Sequence, residues 1–143
     1  TDGVERWYTN DARTFSFRLP DGFSATDIQE VESGGAGVVV QAPGFDELVV
    51  LVRTVPLPFT LSEANVRANL SDVHVTEVRD AYLGTLVRAL QFRTITQGRP
   101  DGVELWAVHN GRLYRVMTSA ENNDLLDFIL ANWYFAPPAP TAR

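Results

Sequence analysis

The Asn110-Gly111 pair constrains this chain more than any other feature, because it joins two apolar-rich runs that together span Gly102 to Ser119. Asn-Gly readily takes the two positive-φ positions of a type I′ turn, whose twist matches that of the strands it connects. A two-residue loop at this point fixes the pairing. His109 faces Arg112, Ala107 faces Tyr114, Leu105 faces Val116 and Val103 faces Thr118 on one side. On the other side Val108 faces Leu113, Trp106 faces Arg115 and Glu104 faces Met117. Large apolar groups stand on both faces, so the hairpin is expected in the middle of a sheet covered on both sides.

The rest of the chain supplies elements to build around it. Phe15, Phe17 and Leu19 alternate with Thr14, Ser16 and Arg18, which predicts a half-buried strand over Arg13 to Leu19, stopped by the turn Pro20-Asp21-Gly22. Before it, Thr1 to Asp11 reads as a polar lead-in with one aromatic pair, Trp7-Tyr8. The glycine-rich Ser33 to Gly37 leads into a short strand over Val38 to Gln41, closed by Pro43-Gly44. Leu48 to Val55 is a continuous β-branched run, expected as a strand buried on both faces and ended by Pro56 and Pro58. Val73 to Arg79 and Leu86 to Ile95 read as two further strands around a loop over Asp80 to Gly84. Gln97 to Gly102 is a loop entering the central hairpin.

Two helices are expected. Thr60-Leu61-Ser62-Glu63 has the form of a capping box, with Thr60 accepting from the Glu63 N–H, and opens a helix to about Leu70 that buries Val66 and Leu70. The second runs from about Asn123 to Asn132, where Leu126, Ile129, Leu130 and Trp133 recur at helical spacing. Trp133-Tyr134-Phe135 extends from it, and Ala136 to Arg143 is a Pro-rich tail or linker. The reading is one α+β domain over 1–135, an antiparallel sheet flanked by helices, followed by the tail over 136–143, with no repeats.

Composition narrows the function classes. At 143 residues, 45% hydrophobic and 21% charged, the chain has the make-up of an ordinary globular domain. Its net charge is −6 and its 12 basic residues are all Arg, a poor match for coating nucleic acid or an anionic membrane surface. The absence of cysteine excludes disulfides, thiolate metal sites and Cys nucleophiles. No run approaches the ~20 apolar residues of a membrane span, so no membrane insertion by this domain is expected. The start at Thr1 rather than Met fits a mature or trimmed form.

The candidates for chemistry each have a bland reading. His74 and His109 are the only imidazoles, and neither stands at His-x-x-x-His spacing, so no metal site is expected; Ca²⁺ held weakly by oxygens is harder to dismiss. Gly34-Gly35-Ala36-Gly37 is followed by a β-branched strand, whereas a phosphate loop needs a helix N-terminus there. The carboxylate pairs Glu30/Glu32, Asp46/Glu47 and Asp124/Asp127 read as solvated or capping groups. Ser62, Ser71 and Ser119 lack a G-x-S-x-G elbow. Arg112 with Arg115, and Arg88 with Arg93, are expected to pair with Glu104, Glu77 or Asp80 across strands. No catalytic residue and no cofactor are expected; Trp7-Tyr8 is the leading exposed candidate for a contact site, and its bland reading is a lid over the core.

Three segments carry a family likeness. Phe15 to Phe23 (FSFRLPDGF) resembles an opening strand with its Pro-x-Gly-aromatic turn. Asn110 to Val116 (NGRLYRV) resembles a late hairpin, and Asp127 to Phe135 (DFILANWYF) a closing helix and aromatic strand. In order and spacing, over about Tyr8 to Phe135, the chain is similar to the Mog1/PsbP/DcrB-like superfamily. That resemblance implies an α/β/α sandwich on an antiparallel sheet. It also implies a binding or accessory role, since members include a Ran-binding nuclear protein, an extrinsic photosystem II subunit, secretion chaperones and many bacterial envelope lipoproteins. No functional residue carries over, because the matched motifs are structural. The expectation is a non-enzymatic binding module in a bacterial cell envelope with an unknown protein partner. A cytoplasmic secretion-type chaperone or adaptor is the alternative, and a hydrolase comes last.

Overall fold

The computed structural model of the chain describes residues 6–10, 14–30, 35–42, 44, 47–54 and 60–135. In chain order these form β1 (Arg6–Thr9), β2 (Phe15–Leu19), β3 (Ser24–Glu30), β4 (Gly35–Gln41), β5 (Leu48–Thr54), α1 (Glu63–Asn69), β6 (His74–Leu83), β7 (Val87–Ile95), β8 (Gly102–His109), β9 (Arg112–Ser119), a 3₁₀ turn (Ala120–Asn122), α2 (Asn123–Ala131) and β10 (Trp133–Phe135). Seven strands make one antiparallel sheet in the order β3-β4-β5-β9-β8-β7-β6, and β1-β2-β10 make a second. The fold is α+β and antiparallel, as expected.

The hairpin holds the middle of the large sheet. Asn110 and Gly111 take φ of 51° and 74°, the left-handed pair that a type I′ turn demands. The β8–β9 register runs from Gly102↔Ser119 to His109↔Arg112, every pair as predicted. Each face of the hairpin then finds its own cover. Trp106 and Leu113 pack with Phe92, Val75 and Val66 of α1 on one side. Leu105, Tyr114 and Val116 pack on the other with Leu126 and Ile129 of α2 and with Phe15, Phe17 and Trp133 of the small sheet. A fully buried aliphatic or aromatic side chain contributes about 1.5–3 kcal/mol, so these two layers are what fix the sheet's faces.

Several expectations are corrected. The polar lead-in contains β1, because Tyr8 turns inward onto Phe17 with ring centroids 5.3 Å apart. Residues Ser24–Glu30 form a strand the periodicity did not announce; it is an edge, held by backbone pairing from Ser24↔Gln41 to Glu30↔Gly35. The loop expected over Asp80 to Gly84 is mostly strand, since β6 runs to Leu83 and turns only at Gly84, φ +70°. A Cβ on Gly84 would sit 2.8 Å from the Trp133 carbonyl oxygen, so the turn is pinned against β10. The capping box does not form: Ser62 is the N-cap, its hydroxyl accepting from the Asn65 N–H at 3.2 Å, while Thr60 offers only its backbone carbonyl to Asn65 Nδ2. On β5, Leu48 and Val50 are fully buried but Val49 and Leu51 only partly, so one face is covered less than predicted. Trp133 is 2% exposed, yet it belongs to β10 rather than to the helix. The readings made at Ser33-Gly34, Glu32, Pro43, Asp46, Val55, Pro56, Pro58 and the Pro-rich 136–143 lie outside the described residues.

Candidate functional site

The small sheet sets its aromatic residues on two faces. In register, Trp7 stands opposite Arg18 and Tyr134 opposite Ser16, so Trp7 and Tyr134 flank β2 on the same face. Their rings meet at 5.5 Å with a 49° tilt, and both stay open to solvent, at 39% and 52%. Beneath this pair Ser16 is fully buried, with no hydrogen-bond partner for its Oγ among the described residues. Arg18 reaches over the Phe128 ring, 5.6 Å from its centroid. Phe128 in turn lines a mostly apolar groove of about 320 Å³ with Pro20, Phe23 and Leu125. An exposed aromatic pair, a guanidinium and an apolar groove thus follow one another around the small sheet and α2. Such groups are over-represented where proteins bind proteins. The sequence singled out Trp7-Tyr8; the structure keeps Trp7, turns Tyr8 inward and replaces it with Tyr134.

The other sequence candidates are scattered. His109 is half-buried and stacked on Phe135, centroids 4.0 Å apart, rather than standing free at the hairpin tip. His74 is exposed at the start of β6. Among the described residues no three His, Asp or Glu side chains converge as metal ligands would. Glu47 is exposed, and its backbone carbonyl accepts from Thr118 Oγ1 at 3.0 Å. Asp124 and Asp127 are exposed in α2, where Asp127 accepts from Asn123 Nδ2 at 3.2 Å. Ser62 caps α1, Ser71 is exposed and Ser119 ends β9.

Arginine pairing came out partly as expected. Arg115 Nε donates to Glu104 Oε2 at 2.7 Å, and Arg88 lies 3.5 Å from Asp80 on the exposed sheet edge. Arg93 instead pairs with Asp101, 3.0 Å away in the loop before β8. Glu104 is only 5% exposed and also accepts from Trp106 Nε1, while the Arg115 guanidinium lies 5.2 Å over the Trp106 ring. This trio fixes the α1 face of the hairpin, since every polar atom it buries meets a partner. Tyr114 is raised above its ordinary pKa of 10.0, chiefly because burial disfavours the phenolate; the Thr14 hydroxyl and the Arg112 charge pull the other way.

With that geometry in view, no family model matches the sequence, and no curated protein does. Among solved structures, the solution structure of cyanobacterial PsbP (CyanoP) from Synechocystis sp. PCC 6803 superposes with a TM-score of 0.63, covering 94% of this chain and 95% of that one. The fold is PsbP-like. At 16% identity the likeness carries the fold alone, and a fold of this kind hosts its function in whatever surface is grafted on it.

Proposed function

We propose that this PsbP-like domain is a non-catalytic binding module of a bacterial cell envelope, docking a protein partner on the face that carries Trp7 and Tyr134. The observation behind this is the exposed aromatic pair, 5.5 Å apart, held on a rigid antiparallel sheet rather than on a loop. Rigid aromatics bury large area at low entropic cost and serve as anchors of interfaces. The neighbouring Arg18 and the groove of Pro20, Phe23, Leu125 and Phe128 would extend the footprint. An envelope location rests on the spacer-like composition of Ala136 to Arg143 and on the resemblance to a group with many envelope members.

The cytoplasmic chaperone reading has the apolar groove in its favour. At about 320 Å³, however, that groove is sized for a side chain or two rather than a client segment. The test is site-specific photo-crosslinking in the native cell, with the probe at Tyr134 and, as control, at exposed Arg99. A discrete crosslinked protein from position 134 alone, lost in a Trp7→Ala background, supports the docking face. Equal or absent crosslinking at both positions sinks it. Fractionation of the same cells separates the envelope reading from the cytoplasmic one.

A further inference from the structure

A second groove, between the β6–β7 edge of the large sheet and the start of α2, is lined by residues other than those of the docking face. We propose that the groove between the β6–β7 edge and the start of α2 is a binding site for a small monocarboxylic acid. The groove encloses about 290 Å³ and is lined by Glu77, Arg79, Gln91, Arg93 and Asn123, with Phe92, Val103 and Ala120 as its apolar part.

The built part of the site is Gln91. It is 5% exposed and it lines the groove. Arg79 stands opposite Gln91 in register, and Arg93 lies two residues along β7 on the same face. Arg79 forms no ion pair among the described residues. Arg93 gives Nε and Nη2 to Asp101 Oδ2 and keeps Nη1. Asn123 adds a second carboxamide, its Nδ2 shared with Asp127.

A backbone irregularity delivers this convergence. Thr76 pairs with Arg93 and Arg79 pairs with Gln91, so Glu77 and Val78 of β6 stand against the single residue Phe92 of β7. In an unbroken strand Thr76 and Arg79 would point to opposite faces, and Arg79 would leave the groove. The extra residue sits in the bulge where Glu77 takes φ +55°, a left-handed conformation that costs a non-glycine about 1–3 kcal/mol. The fold therefore carries strain at the place that turns Arg79 toward Gln91 and Arg93.

Charge selects the ligand. The two guanidiniums are accompanied by the Glu77 carboxylate in the lining and by Asp101 on Arg93. A single negative charge finds a forked donor and an amide donor here. A second negative charge would face two carboxylates. The volume lies at the small end of ligand pockets, which fits a short aliphatic acid whose tail meets Val103 and Ala120.

The experiment is a titration of the isotope-labelled domain with butyrate, reading backbone and carboxamide resonances by NMR, with inorganic phosphate and choline as comparison arms. The expected result is saturable movement of the Gln91 and Asn123 carboxamides by butyrate, weaker binding of phosphate and none of choline. Arg79→Gln, at an exposed position, should weaken butyrate about tenfold, while Arg99→Gln should leave it unchanged. Shifts that do not saturate, that persist in Arg79→Gln, or that are stronger with phosphate or choline overturn the proposal. Binding that survives Trp7→Ala separates this site from the docking face.

Discussion

At the scale of single residues, the clearest link between sequence and structure is Asn110-Gly111. Its turn type follows from two backbone angles that only a few residues tolerate, and those angles are observed at 51° and 74°. Gly111→Val should lower the melting temperature by about 3 °C or more, since a β-branched residue at positive φ costs about 1–3 kcal/mol. An unchanged melt would mean the chain reaches this register without the turn. Tyr114 gives a prediction in pH. Its folded pKa lies above the unfolded 10.0, so the native state keeps the proton longer than the unfolded one. That contribution is whole below pH 10.0 and is lost as pH rises through the folded value. Wild type should therefore lose stability above pH 10.0 more steeply than Tyr114→Phe; parallel curves would show the phenol is not what burial holds neutral. The Glu104 trio was only half legible. The sequence offered Glu104 as a partner for arginine, but Trp106 lies two residues away on the same strand face, and only a fixed pleat brings its indole N–H to that carboxylate.

At the scale of elements, what the sequence revealed depended on how much of each signal was local. The α2 pattern was strong because one face is apolar at the right period: Leu126 and Ile129 are fully buried, and Leu130 nearly so. β3 was silent because Ser24–Glu30 is an edge strand whose formation depends on the backbone of β4 rather than on its own side chains. Tyr134 could not be joined to Trp7 from sequence, as β1 and β10 come from opposite ends of the chain and meet only through β2. The groove was hidden for a related reason, because a bulge shifts the face on which Arg79 falls and period-2 counting assumes no bulge. The start of α1 offers a sharp test of a local signal that misled. Thr60-Leu61-Ser62-Glu63 fits the capping-box pattern, yet the helix begins two residues later and Ser62 takes the cap. Ser62→Ala should cost about 0.5–2 kcal/mol in denaturant unfolding. Thr60→Ala should stay within about 0.5 kcal/mol of wild type, because only its backbone carbonyl is used. Equal losses at both sites would restore the box.

At the scale of the molecule, the central hairpin belongs to two packing layers at once. Trp106 faces the α1 layer and Trp133 the α2 layer, and the strands between them are shared. A layer cannot be removed from one face without exposing the apolar side chains of the sheet there, and the same strands carry the other face. This argues for a single cooperative transition rather than two. The chain has 3 Trp, of which Trp7 is partly exposed, so each layer can be followed by its own indole. Variants that keep only Trp106 or only Trp133, with phenylalanine at the other two positions, should each show a fluorescence melt that coincides with the far-UV circular dichroism melt of the same variant. Comparing within a variant matters, because Trp106→Phe also removes the indole donor to Glu104 and lowers the midpoint by itself. If the Trp133 signal changes about 5 °C or more before the backbone signal, the small sheet and α2 come away while the seven-stranded sheet stands. The Trp7–Tyr134 face would then belong to a separately opening unit, since β10 carries both Trp133 and Tyr134.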